Sequence, residues 1–326
     1  MKCHPVKSAP FLLLPVIWAA ATSEARAQYS TQTVVLQAGW NAVHLRIAPV
    51  GELSAIFAGT PVETVSAWYP EKQKVASLQD PGAEPWKSTE WRTWQGAGKP
   101  GAFLNNLHAL ESGKGYLIKA RAAATVTLSG TVVRDRLRWQ AQSLNLTGLP
   151  ADPEAPATLA GFFANSPAHL PLRVFRLNAG RWQAVPGPTR IDPQAAYWIW
   201  CGEGSEYQGP LDVRIGGTLT LGGVEESFTL GLIGAAGTAL PVRVTARGTL
   251  PLTGLARERL TPPAGMRLGS TEITFTAGAG EARDYRIAWT AGATPATGSA
   301  TVLELRAAGV RLAVPVKSGP AAATAP

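Results

Sequence analysis

The order of a handful of short motifs, met once and then again about a hundred residues later, constrains this chain more than its composition does. The first passage opens with Gly39-Trp40-Asn41, continues through Leu53, Ile56 and Phe57 to Trp68-Tyr69, and closes on Gly113-Lys114-Gly115-Tyr116 and the strand-like run from Ala124 to Gly130. The second opens with Ser143-Leu144-Asn145, continues through Leu159, Phe162 and Phe163, and closes on Ala196-Tyr197-Trp198 and Tyr207 to Leu211. Asn41 aligns with Asn145, Phe57 with Phe163, Trp68 with Phe175 and Tyr116 with Tyr197. The second passage largely lacks a Trp-rich loop between Asp80 and Gly101 of the first. An insertion confined to a loop marks a duplicated module, because loops tolerate added residues and cores do not. Chance similarity of two β-rich segments is the competing explanation.

Within each passage the apolar residues recur at the period of strands. Val34 and Leu36 alternate before the Gly39 turn, and Val62 to Tyr69, Tyr116 to Ala120 and Thr125 to Val133 read as further strands. Leu53, Ile56 and Phe57 stand at i, i+3 and i+4, the spacing of one short helix turned to a core. From Val213 onward the character changes. Eight candidate strands, from Arg214–Leu221 to Val310–Val316, follow one another between Gly-, Pro- and Ala-rich turns, the spacing of a β-sandwich. The expected fold is therefore all-β with short helices: two degenerate β-rich repeat modules, then a C-terminal immunoglobulin- or fibronectin-like β-sandwich. The expected boundaries are 28–133 and 134–213 for the repeats and 214–318 for the sandwich, with a disordered tail over 319–326.

The N-terminus reads as a secretion signal over residues 1–27. Lys2 and Lys7 precede the apolar run from Phe11 to Ala21, and Ala25-Arg26-Ala27 offers small residues to a signal peptidase. The run is short for a membrane span and Pro15 interrupts it, so the mature chain is expected to begin at Gln28 with no transmembrane segment. The expected location is secreted, either periplasmic or extracellular at the cell surface. Past the signal only Cys201 remains, so the fold must hold by core packing without disulfides. The chain carries a formal charge of +8, but its basic residues are scattered. Nucleic acid is therefore not an expected partner, whereas an anionic polysaccharide or cell surface is compatible.

The ordered set of Trp40-Asn41, the Leu-Phe helix, Trp68-Tyr69, Gly113-Lys114-Gly115-Tyr116 and the Val-Thr-Leu-Ser-Gly strand resembles a repeat of bacterial extracellular and surface proteins. That repeat reads GWN at its start and G-x-G-Y-W near its end. Here Leu117 stands where Trp is usual, and the second passage keeps Tyr197-Trp198 but has lost the opening Gly-Trp. The resemblance covers residues 33–213. It implies location and modularity, and names no activity.

A search for catalytic or metal chemistry turns up little. His44, His108 and His169 stand in no His-x-x-x-His or Cys-x-x-Cys spacing, so no metal or cofactor is expected. Gly113-Lys114-Gly115 lacks the rest of a phosphate loop, and Gly202-Glu203-Gly204-Ser205-Glu206 is not a nucleophile elbow. One constellation stands out: Trp86, Trp91 and Trp94 in a polar loop with Lys87, Glu90 and Arg92 between them. Exposed aromatic faces pack on sugar rings, so these three are candidate ligand-binding residues of a glycan platform. The same residues could instead fold back as a lid over the first core. The expectation is a non-enzymatic binding protein with a surface-protein or polysaccharide partner. The alternatives are a secreted hydrolase whose site is unrecognised and a periplasmic assembly factor acting by β-strand pairing.

Overall fold

The computed structural model describes residues 29–70, 90–134, 136–215, 219–221, 227–234, 239–247, 252–256, 264–267, 271–276, 282–289 and 300–318. The expected signal, Trp86 and the expected tail lie outside the described residues. The described chain is all-β, with two short helices: α1 (Leu53–Ile56) and α2 (Leu159–Phe163).

Among the described residues seven strands build the first module: β1 (Tyr29–Leu36), β2 (Gly39–Leu45), β3 (Ala48–Pro49), β4 (Val62–Trp68), β5 (Trp91–Gln95), β6 (Lys114–Ala120) and β7 (Ala124–Thr131). They form a four-stranded sheet of order β2-β6-β4-β5 and a three-stranded sheet of order β1-β7-β3. Alternation decides which side chains meet between them. Val34 and Leu36 from β1, Val43 and Leu45 from β2, Val65 from β4, Tyr116 and Ile118 from β6, and Val126 and Leu128 from β7 fill one core. Leu53 and Phe57, at either end of α1, complete it.

The second module is built from β8 (Ser143–Gly148), β9 (Val174–Asn178), β10 (Arg181–Ala184) and β11 (Ala196–Cys201), in the order β8-β11-β9-β10. This is the same topology as β2-β6-β4-β5, and the registers coincide. Asn41 lies opposite Ile118 and Val43 opposite Tyr116; in the second sheet Asn145 lies opposite Ile199 and Thr147 opposite Tyr197. On the other side of the central strand, Ala67 faces Tyr116 as Arg176 faces Tyr197. One sequence alignment needs correction. By register Phe175 corresponds to Ser66, and Trp68 corresponds to Leu177, two residues further along the same face. A shift of two keeps a side chain on its face, so the sequence pattern could not detect it.

The shared residues do the same work twice. Asn41 Oδ1 accepts from the Gln37 amide at 2.8 Å, and its Nδ2 donates to the Gln37 and Gly39 carbonyls. Asn145 Oδ1 accepts from the Gln140 amide at 2.8 Å, and its Nδ2 donates to the Gln140 and Ser143 carbonyls. Each asparagine thus replaces the missing strand partner of the turn before it. Tyr116 and Tyr197 are buried, and each hydroxyl accepts from the backbone amide five residues upstream, that of Glu111 at 2.7 Å and that of Asp192 at 2.9 Å.

The outer faces of the two four-stranded sheets pack on one another. Trp68, Leu117, Leu144, Leu146, Ala196 and Trp198 form this layer, with Trp40, Trp91 and Trp182 at its margin. Trp198 is its centre, with the rings of Trp68 at 5.3 Å and of Trp91 and Trp182 at 6.1 Å. Corresponding positions touch: a Cβ on Gly148 would fall 1.9 Å from His44 Cγ, and one on Gly115 would fall 2.9 Å from Ala196 Cβ. By register His44 corresponds to Gly148 and Gly115 to Ala196, so the seam is isologous, as between the halves of a symmetric dimer. The two glycines are there for close approach, since any larger residue would separate the sheets.

The remaining strands are β12 (Leu211–Arg214), β13 (Leu219–Leu221), β14 (Ser227–Gly234), β15 (Ala239–Arg247), β16 (Leu252–Ala256), β17 (Ala264–Arg267), β18 (Thr271–Thr276), β19 (Ala282–Trp289), β20 (Ala300–Ala307) and β21 (Val310–Ser318). They form two five-stranded sheets, β12-β14-β19-β16-β17 and β13-β21-β20-β15-β18. The strand expected over Arg214–Leu221 is divided between them, and β17 was not expected. The first sheet begins with β12, so the boundary expected at 213/214 falls inside a strand. Val242, Val244, Leu303, Leu305, Leu312, Val314 and Val316 share a single core with Phe162, Phe163, Tyr197 and Ile199 of the second module.

Candidate binding cleft

Where the isologous seam opens, β1 and β2 of the first module face the β9–β10 hairpin of the second across a cleft of about 860 Å³. Trp40 lines it from β2, beside Gln37 and Val35. From the hairpin come Arg176, Asn178 and Gln183, with Asp192 behind them. Arg176 pairs with Asp192 at 2.7 Å, both side chains well exposed, and Asn178 Nδ2 donates to Gln183 Oε1 at 3.2 Å. The hairpin turns through Ala179 and Gly180, at φ 46° and 76°. Two positive φ values in a two-residue loop are those of a type I′ turn, which matches the twist of the strands. Alanine rarely adopts this region, so the turn at the rim holds some backbone strain.

This lining joins one aromatic ring to planar amides and a guanidinium–carboxylate pair, contributed by both modules. Its chemistry suits a ligand with many hydroxyls and apolar ring faces. Sequence reasoning had not singled out Trp40 as a ligand residue, nor the hairpin residues at all. The Asn178-Ala179-Gly180 turn signal was legible, but which surface it faced depended on the packing of two sheets distant in sequence.

The candidate tryptophans are distributed differently. Trp91 lies opposite Trp68 and points into the intermodule layer, against Trp198. Trp94 lies opposite Val65 and points the other way, its ring 5.6 Å from Phe57 of the first core. Both are half-buried. A platform on one side of this strand would therefore need Trp86 together with one of them, and Trp86 lies outside the described residues. Just beyond, Phe103 and Leu104 are exposed to 82 % and 69 %.

The described residues do hold a serine–histidine pair. Ser166 Oγ and His169 Nδ1 are 2.7 Å apart, on a short 3-10 turn in the second module. The imidazole is 0 % exposed and lies 4.3 Å from the Trp139 ring and 4.6 Å from the Phe163 ring. Burial holds its pKa down at about 4. A general base must reach its substrate's proton, and this ring is walled in by the core, so its role is to satisfy Ser166. Cys201 is equally enclosed: its thiol donates to the Glu203 carbonyl, and burial pushes its pKa up, away from reactivity. Lys114 of the Gly-Lys-Gly turn stands 3.3 Å over the Tyr69 ring and pairs with Glu111 at 3.0 Å, a structural contact. Among the described residues no three His, Cys, Asp or Glu side chains group to hold a metal.

No protein-family model matches this chain, and no curated protein matches its sequence.

Proposed function

We propose that this is a secreted, non-enzymatic modular protein that binds polysaccharide at the cell surface or outside the cell, in the cleft between its two repeats. The observation that carries the reading is the composite lining: the Trp40 ring from one module, and the amides of Asn178 and Gln183 and the Arg176–Asp192 pair from the other. Sugar recognition needs a flat apolar surface and planar polar groups in reach of one another. The enclosure of Ser166 and His169 weighs against a hydrolase, since that pair has no access to substrate. The duplicated roles of Asn41 and Asn145, and of Tyr116 and Tyr197, support membership of the GWN…GxGYW type of surface repeat. We read the two C-terminal sheets as an immunoglobulin-like sandwich. The support is the division of its opening segment between both sheets, with β13 running parallel to the last strand.

The test is retention of the protein in gels containing defined polysaccharides. The double change Asn178→Ala with Gln183→Ala should abolish retention while leaving the unfolding temperature unchanged, because both side chains are exposed or half-exposed at the rim. A parent protein retained by no polysaccharide would end this reading. The exposed Phe103 and Leu104 favour a second one, a surface-protein partner docking at that loop; loss of partner capture on Phe103→Ser would support it.

A further inference from the structure

Phe103 and Leu104 are 82 % and 69 % exposed, more than any other large apolar side chain among the described residues. A loose loop would fold such a pair against the nearest apolar surface. This one is pinned. The pair sits on a 3-10 turn, Ala102–Leu104, closed by the Leu104 amide's bond to the Gly101 carbonyl at 3.0 Å. The residues that follow run along the outer edge of β5 as a strand partner would. Asn105 Oδ1 accepts from the Gln95 amide at 2.7 Å, and its Nδ2 donates to the Gln95 carbonyl at 3.0 Å. Asn106 Oδ1 accepts from the Thr93 amide at 2.6 Å, and the Leu107 amide donates to the Thr93 carbonyl at 3.2 Å. The backbone itself holds the two side chains out in solvent.

The base of the loop is basic. Lys99 Nζ pairs with Glu63 at 2.7 Å, and the Gly96 amide bonds the Glu63 carbonyl at 2.9 Å. Lys119, opposite Thr64 on the next strand, and Arg121, whose amide bonds the Pro61 carbonyl, stand at the same end of the sheet. The Lys99 bond holds Glu63 below the usual carboxylate range, and the fields of Lys119 and Arg121 add to it. Three cations thus surround one carboxylate, an excess of two positive charges. From Pro100 to Leu110 there is no Asp, Glu, Lys or Arg. An uncharged apolar tip above a basic collar suits the boundary of an anionic bilayer, where the apolar side chains are buried and the cations stay at the headgroups.

The loop offered above to a surface protein fits a lipid surface better. A stable protein interface covers about 800 Å² on each partner, spread around a central apolar anchor. Two side chains projecting from a turn, with Asn105, Asn106 and charged groups beneath, supply the anchor without the surround. A lipid surface needs no complementary pocket. We propose that Phe103 and Leu104 insert into the surface of an anionic lipid bilayer, with Lys99, Lys119 and Arg121 at the headgroups, and so tether the exported chain to a membrane. This tether does not depend on the polysaccharide reading.

The experiment is cosedimentation of the exported chain, free of the apolar run from Phe11 to Ala21, with lipid vesicles. One set is phosphatidylcholine alone, and the other is phosphatidylcholine and phosphatidylglycerol at about three to one, which carries the negative surface potential. Saturable binding to the mixed vesicles, weakened by salt, and little binding to the neutral ones are expected. Phe103→Ser should weaken it roughly tenfold, the scale of losing one inserted apolar side chain. Arg121→Gln should weaken it about fivefold, the scale of one cation near a charged surface. Both variants should keep the parent's unfolding temperature, since Phe103 and Arg121 are exposed. No sedimentation with the mixed vesicles, or Phe103→Ser bound as tightly as the parent, would overturn the proposal. Equal binding to neutral vesicles would overturn the role of the cations. Capture of a surface protein by a parent that binds no vesicle, lost in Phe103→Ser, would give the loop to a protein instead. Asn178→Ala with Gln183→Ala should bind vesicles like the parent, and a loss there would overturn the assignment to this loop.

Discussion

The two repeats share one four-stranded sheet and differ in what covers it. In the first, β1, β7 and β3 form a second sheet, and the core between the two sheets is largely the module's own. In the second, the corresponding segments have gone elsewhere. Where β1 and β7 pair over eight residues, the described residues of the second repeat keep only the Trp139–Ser205 bridge, with the Gln208 side chain standing in for a strand by bonding both the amide and the carbonyl of Leu137. The segment corresponding to β3 bridges instead to the C-terminal hairpin, Ala151 opposite Val310. The end of the module, β12, pairs with β14. A duplicated module can therefore give up half of its own cover when a following domain supplies apolar surface to the same core. A domain boundary read from composition then need not be a boundary of packing.

The largest test of that contrast is truncation. A chain ending at Pro210 loses Leu303, Leu305, Val310, Leu312, Val314 and their neighbours from the second core, on the order of 10 kcal/mol of buried apolar surface. Amide protection in β8, β9 and β11 should collapse while β2, β4 and β6 stay protected. Persistent protection of β11 would show that the second repeat stands alone.

The next largest effect separates the seam from the second core by pH. His44 lies at the seam and His169 in the core, and burial holds both pKa values near 4, below the ordinary 6.5. Each is neutral when folded and takes a proton when unfolded below about pH 6.5. The stability they preserve is therefore complete above that pH and falls as pH drops towards 4, by on the order of 3 kcal/mol each. Denaturant midpoints from pH 7 to 4 measure the loss, and His44→Gln and His169→Gln should each flatten the curve by its own share. If only one variant flattens it, one of the two regions is more open than its packing implies.

The smallest effect asks whether the repeats still use their shared residues alike. Tyr116→Phe and Tyr197→Phe each leave a backbone amide without its acceptor, a loss of about 1–3 kcal/mol. Equal losses sharpen the correspondence; a loss at one site alone would break it.

Much of this was legible in the residues. The strand period, the two short helices, and the correspondences of Asn41 with Asn145 and Tyr116 with Tyr197 follow from motifs whose causes are local: a turn that needs a side-chain partner, and a hydroxyl that reaches five residues back. The alignment of Trp68 with Phe175 was off because strand periodicity repeats every two residues, and a slip of two leaves no trace in the pattern. Trp91 and Trp94 were grouped by composition, yet a spacing of three puts them on opposite faces of a strand. The strand needed to draw that conclusion was hidden in a Pro- and Gly-rich passage that read as loop.

The sequence by itself determined the all-β class and the order of the duplicated elements, because these rest on period, turn chemistry and residue type. The tertiary structure alone decided that the repeats pack face to face with Gly148 against His44, and that the second borrows its cover from the C-terminal sheets. It also decided that residues of both repeats line one cleft. Those outcomes depend on which apolar faces find each other across a hundred residues or more of chain, and alternation says only that a face is apolar, not what will bury it.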